Sequence, residues 1–311
     1  MHAEIMNYRG WGKCYRLANS LVDLVVTAEV GPRIIRYGFL GHENEFKEIE
    51  EDMGKKGGDE WRMYGGHRLW HAPEAVPRTY VPDNSPVNVL EENGGLRIIQ
   101  PIELTTGIQK EIEIYLDEYK SHARIVHRLR NAGLWQVELA VWCISMLEAG
   151  GTAIMPLPLR RPYPEDLLPN SSLVLWAYTD LTDSRYKFGK QYLLIRQEPD
   201  HRNPLKLGAN VPDGWVAYAR GGHLFVKRFQ YKPDAVYPDR GCCFESWMND
   251  EFLELETLSP LALLNPGQEI EYSEEWYLFE GVRTPTSEPE VIESVLPAVN
   301  RTSEPISKMD D

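Results

Sequence analysis

The sequence predicts an all-β protein, a single large antiparallel β-sandwich, and three observations carry that prediction. Between residues 112 and 141, Ile112, Ile114 and Leu116 alternate with Glu111, Glu113 and Tyr115, and the alternation resumes through Ala123, Ile125, His127 and Leu129. A strand sends successive side chains to opposite faces, so this period of two marks half-buried antiparallel strands. Similar short runs recur along the chain, whereas helical spacing of any length is scarce. Residues that tolerate tight backbone geometry separate the runs: Asn93-Gly94, Asn131-Ala132-Gly133, Pro212-Asp213-Gly214 and Asn265-Pro266-Gly267.

Taken in order, residues 1–20 mix polar and aromatic side chains and show neither an apolar signal core nor a small-residue cleavage site. Strands are expected over 21–30 and 33–39. Residues 41–59 are acidic, then basic and Gly-rich, which reads as a surface excursion. After the alternating block at 112–141, strands are expected at 172–178, 191–196, 215–218, 224–231, 252–258 and 269–279. Residues 283–311 are polar with several prolines and read as a peripheral or partly disordered tail. The expected organisation is one sandwich domain over 1–282 followed by that tail, without internal repeats.

Composition narrows the function classes. The 311 residues are 42% hydrophobic and 26% charged, the balance of a globular chain able to bury a large core. Lys and Arg number 33 against 47 Asp and Glu, so a net charge of −14 repels polyanions and argues against nucleic acid as a partner. A local basic pocket from Lys206, Lys227 and Arg228 stays compatible with that total. No run reaches the roughly 18 apolar residues of a membrane span. The cysteines, Cys14, Cys143, Cys242 and Cys243, include an adjacent pair and form no Cys-x-x-Cys, so they read as reduced thiols of a cytoplasmic protein and not as disulfides or a zinc site. No cofactor is expected, and the sequence is silent on oligomeric state.

The most informative segment is Phe252-Leu253-Glu254-Leu255-Glu256-Thr257-Leu258-Ser259-Pro260, followed by Leu264-Asn265-Pro266-Gly267-Gln268 and Trp276-Tyr277-Leu278-Phe279. On a strand, Glu254 and Glu256 share one face about 7 Å apart, with Leu253 and Leu255 on the other. The order Leu-Glu-Thr, a spacer to proline, Leu-x-Pro-Gly-Gln and an aromatic strand resembles the C-terminal signature of aldose 1-epimerases, the galactose mutarotases, and their superfamily. That resemblance implies the galactose mutarotase-like supersandwich and makes Glu256 the general base that takes the proton of a sugar's C1 hydroxyl. Gly65-Gly66-His67-Arg68-Leu69-Trp70 is similar in place to the family's Asn-Arg segment, which implies that Arg68 binds sugar hydroxyls and that His67 stands where the family has asparagine. The family's acid histidine finds no match: Trp142 or Cys143 occupies that position, and neither is an acid at neutral pH. His67 and His71 are then the nearest candidates for the acid, and the chain looks more like a side branch of the superfamily than a true mutarotase.

Other residues complete the expected site. His67, His71 and Glu74 have a metal-like spacing on a helix, but Pro73 opposes that helix, and no metal is expected there. Asp239, Glu245 and Asp250 lie in an oxygen-rich stretch compatible with calcium, but acidic loops are common and no metal is expected there; Glu245 is counted with Glu254 among the substrate-binding groups. Trp70, Trp142, Trp215 and Trp247 offer flat faces of the kind that pack on sugars; Trp142 is taken as the binding one. Lys206 and Lys227 interrupt apolar runs, and a lysine facing the cleft favours an acidic sugar. Glu254 and Glu256 stand on the same side of any substrate and so do not flank a glycosidic bond as a glycosidase pair does. Tyr64, His67 and Arg68 suit a uronate-type lyase. The expectation is therefore a carbohydrate-binding protein that takes a small, acidic sugar and moves protons near its anomeric centre. A non-catalytic sugar-binding or regulatory module and a lyase remain open as alternatives.

Overall fold

The computed structural model describes residues 2–302. Two antiparallel sheets pack face to face. The first has eleven strands, in spatial order Glu4–Tyr8, Trp11–Ala18, Val22–Thr27, Arg33–Phe39, His67–Ala72, Val137–Glu148, Phe252–Leu258, Phe244–Met248, Leu205–Ala209 and Leu173–Leu175, with Ala262–Leu264 paired beside Val137–Glu148. The second has ten: Tyr186–Phe188, Tyr192–Arg196, Thr152–Pro156, Trp215–Arg220, His223–Phe229, Glu269–Glu280, His122–Asn131, Ile108–Leu116, Gly95–Ile99 and Asn88–Glu92. The expected all-β sandwich is what the chain forms, and the turn at Asn93-Gly94 uses the left-handed backbone its residues tolerate.

The core lies where the two inner faces meet. Leu69, Val141, Cys143, Leu253 and Leu255 of the first sheet pack with Ile112, Ile125, Leu129, Phe225 and Trp276 of the second. A polar seam runs through this layer. Lys227 and Glu274, both fully buried, pair at 3.0 Å. Glu274 also accepts from Trp276 Nε1 at 2.8 Å and from the Thr257 hydroxyl. Lys227 donates further to the carbonyls of Cys143 and Leu255. Every charge-bearing atom there has a partner, the condition under which a buried ion pair is tolerated.

His67–Ala72, where the sequence pattern predicts no strand, is a fully buried central strand. Both of its faces are covered, so the polar-apolar alternation that reveals half-buried strands is missing. Gly65 and Gly66 enter it with φ of +93° and +72°, and a Cβ on Gly66 would stand 2.4 Å from the Ile34 carbonyl oxygen. Gly66→Ala is therefore expected to destabilise the fold by at least about 1–3 kcal/mol, the penalty of a left-handed non-Gly residue before the clash is added. Urea unfolding of the variant against the parent checks this.

The C-terminal segment packs on the periphery of the sandwich. Glu288–Glu290, Val291–Val295 and Leu296–Asn300 are short helical turns. They bury Val291, Val295, Ala298 and Val299 against Ile154, Leu194, Trp215 and Val226 on the outer face of the second sheet. The apolar spacing there is helical, but Pro289 and Pro297 disguise it in the sequence. Residues 303–311 of the expected tail lie outside the described residues. The four cysteines are free and buried, and no helix among the described residues is long and apolar enough to cross a membrane.

Candidate functional site

Phe252–Leu258 organises the site. Its pairing sets Glu256 between Ile144 and Glu245, and Glu254 between Met146 and Trp247. Arg68 lies opposite Ile144, Trp70 opposite Trp142, and Lys206 opposite Trp247. Directly paired residues share a sheet face. Register therefore gathers Arg68, Trp70, Trp142, Lys206, Glu245, Trp247, Glu254 and Glu256 on the face of the first sheet turned away from the second.

These side chains form one buried ionic network. Lys206 Nζ stands 2.8 Å from Glu245 Oε2 and 3.0 Å from Glu256 Oε2. Trp142 Nε1 donates to Glu256 Oε2 at 2.9 Å, and Arg68 Nη2 donates to Glu254 Oε1 at 2.9 Å. The Lys206 ammonium lies 4.8 and 4.7 Å from the ring centres of Trp142 and Trp176, and the Arg68 guanidinium lies 4.5 Å from that of Trp70. Three carboxylates thus face two cations away from water, an imbalance that a proton can relieve. Burial, reinforced by Glu256, pushes Glu245 well above the usual carboxylate range against the pull of Lys206. Burial also pushes Glu254 up to about 7, with Arg68 opposing and Glu256 adding. Lys206 is held protonated: burial alone would lower it, but Glu256 and Glu245 outweigh that.

A cavity of about 330 Å³ opens beside the network, lined by Glu74, Ala75, Val76, Trp142, Trp176, Asp239 and Glu245. Its size sits at the small end of ligand pockets and suits a single sugar ring. Asp239 and Arg240 hold left-handed backbone at its wall, a conformation that non-Gly residues keep only where the surroundings enforce it. Glu245 Oε1 and Glu256 Oε1 are buried without a hydrogen-bond partner among the described residues. Glu245 lines the cavity, and a hydroxyl donor from a ligand there would satisfy it.

The structure brings Glu256, Glu254, Glu245, Arg68, Trp142 and Lys206 together, but it separates from them the remaining three residues expected from the sequence. Strand alternation sends His67 and His71 to the inter-sheet side, opposite Glu256. His67 Nε2 lies 2.8 Å from His127 Nε2, and its Nδ1 2.8 Å from Ser145 Oγ. His71 is 1% exposed beside Glu103. Burial drives both imidazoles below their usual range, with Glu103 opposing at His71. The Tyr64 hydroxyl donates to Asn84 Oδ1 at 2.9 Å, which leaves Tyr64, His67 and Arg68 pointing to three different surroundings. The ground for an acidic ligand also shifts, because Lys206 and Arg68 are already paired with glutamates and Lys227 lies between the sheets.

Sequence reasoning missed Trp176 as a pocket wall and Lys206 as the clamp between two carboxylates. Lys206 owes its place to cross-strand register and Trp176 to the segment after the Leu173–Leu175 strand, neither of which a local pattern records.

No family model matches the chain, and no curated protein matches it. Solved structures do. A galactose mutarotase-like protein from Lactobacillus casei aligns over 86% of this chain and 100% of its own, at 9% identity and a TM-score of 0.54. A galactose mutarotase related enzyme from Lactobacillus acidophilus aligns over 88% and 100%, at 10% identity and a TM-score of 0.52. The Slr1438 protein from Synechocystis aligns over 86% and 96%, at 12% identity and a TM-score of 0.54. Such low identities speak for architecture, which agrees with the resemblance carried by the Leu255-Glu256-Thr257 region. With two antiparallel sheets and this likeness over most of its length, the chain has the galactose mutarotase-like fold.

Proposed function

We propose that this protein binds a neutral monosaccharide in the Trp142–Trp176 cavity and interconverts its anomers, with Glu256 as general base and Glu245 as general acid. The observation that carries this reading is the Glu245–Glu256 pair, aligned across neighbouring strands and joined to one lysine, with Glu245 lining an aromatic-walled cavity and Glu256 directly behind it. Two carboxyl groups sharing so few cations settle into unlike protonation states, which is the division of labour acid-base catalysis needs. Glu256 takes the proton of the anomeric hydroxyl, Glu245 gives its proton to the ring oxygen, and the C1–O5 bond breaks to the open-chain aldehyde. Closure on the other face of the carbonyl returns both protons. Trp142 and Lys206 hold Glu256 in place, and the tryptophan faces pack on the sugar.

The pH dependence has a definite sign. Activity falls on the alkaline side as Glu245, held up by burial, loses its proton. Glu245→Gln removes the acid, so turnover drops and the alkaline limb disappears from what remains. NMR exchange at the anomeric proton, run across neutral and acidic monosaccharides, tests both points.

One observation favours a second reading, a non-catalytic sugar-binding module: Glu256 is 1% exposed and sits behind Trp142 and Lys206. A sugar that shifts protein resonances without faster anomeric exchange would select this alternative.

A further inference from the structure

We propose that His42, His223 and Glu280 form a binding site for a borderline divalent cation of the zinc type, which ties the two sheets together at one end of their strands. The residues are distant in sequence but close in space, with one ligand atom from each lying within 4.8 Å of the others. His42 follows the Arg33–Phe39 strand of the first sheet. His223 and Glu280 are cross-strand partners in the second. The three ligands therefore span both layers.

A second, independent feature points the same way. His223 Nδ1 stands 2.6 Å from Glu45 Oε1, and Glu45 is 3% exposed. A buried carboxylate behind a histidine fixes the ring's orientation and leaves Nε2 as the ligand atom, the arrangement that metal-binding histidines use. Phe39 packs edge-on to both imidazoles and provides a dry floor. The nearby cations are engaged elsewhere: Arg220 pairs with Glu43, and Arg36 with Asp23 and the His42 carbonyl. Two imidazoles and one carboxylate suit zinc better than calcium or magnesium, and they leave a fourth position for water.

The other cluster of this composition, His67, His127 and Glu274, does not compete. Its two ring nitrogens bond to each other, and the Lys227 ammonium already neutralises Glu274. A metal ion there would have to displace a buried cation.

Zinc titration of the chelator-stripped full chain against a chromophoric competitor tests the proposal. One zinc per chain is expected, with the melting temperature rising as zinc is added. His42→Ala, in an exposed loop, and Glu280→Gln, at an exposed strand end, should each weaken binding at least ~10-fold. Glu45→Gln touches no metal and should weaken it ~10- to 100-fold, as loss of a supporting carboxylate does. Cobalt in place of zinc should give the visible absorption of a low-coordinate site, and His42→Ala should abolish it. Absence of binding, or binding that all three variants leave unchanged, overturns the proposal.

Discussion

Glu256→Gln lowers the rate of anomeric exchange by ~10²- to 10⁴-fold, the loss expected when one positioned acid-base group is removed. The substitution keeps an oxygen to accept from Trp142 Nε1 and leaves Lys206 paired with Glu245, so the fold is expected to survive. A rate loss with an unchanged urea midpoint is therefore the predicted signature, and NMR exchange spectroscopy beside an unfolding curve supplies both readings. Unchanged exchange would remove Glu256 from the chemistry. An equal fall in stability and rate would make it a structural residue.

The opposite signature is expected at the inter-sheet pair. Lys227→Met strands the Glu274 carboxylate, fully buried, with only Trp276 and Thr257 as donors. Breaking one half of a buried ion pair costs about 3–5 kcal/mol, because the remaining charge has lost its counter-charge but not its desolvation penalty. The double change Lys227→Met with Glu274→Gln removes that stranded charge and should recover much of the loss. Urea unfolding of the parent, the single and the double variant checks this. Lys227 and Lys206 look alike in sequence, each a lysine within an apolar run. One is a structural clamp between sheets, and the other borders a cavity.

That pair marks the boundary of what the sequence can show. Alternation made the strands at Ile108–Leu116, His122–Asn131 and Phe252–Leu258 legible because each has one face unlike the other. The same rule put Glu254 and Glu256 on one face before any coordinates. It failed at His67–Ala72, Leu205–Ala209 and Phe244–Met248, short strands whose two faces do not differ consistently in polarity. Those three strands deliver Arg68, Lys206 and Glu245, so half the site hung on elements without a readable period. The choice of His67 and His71 as the acid foundered on parity. Arg68 and His67 are adjacent, and adjacent strand residues point to opposite faces. A resemblance that supplies Arg68 to the cleft removes His67 from it by geometry. The carboxyl group that takes over this role in the proposed mechanism, Glu245, owes its place to register with Glu256 and its raised proton affinity to burial.

A crystal structure of the protein soaked with a neutral monosaccharide tests the central claim most directly. The predicted result is a sugar ring between Trp142 and Trp176, its anomeric hydroxyl within hydrogen-bonding distance of Glu256 and its ring oxygen facing Glu245. A sugar bound on the outer face of the second sheet, or one in the cavity with its anomeric end turned away from both carboxylates, would contradict it.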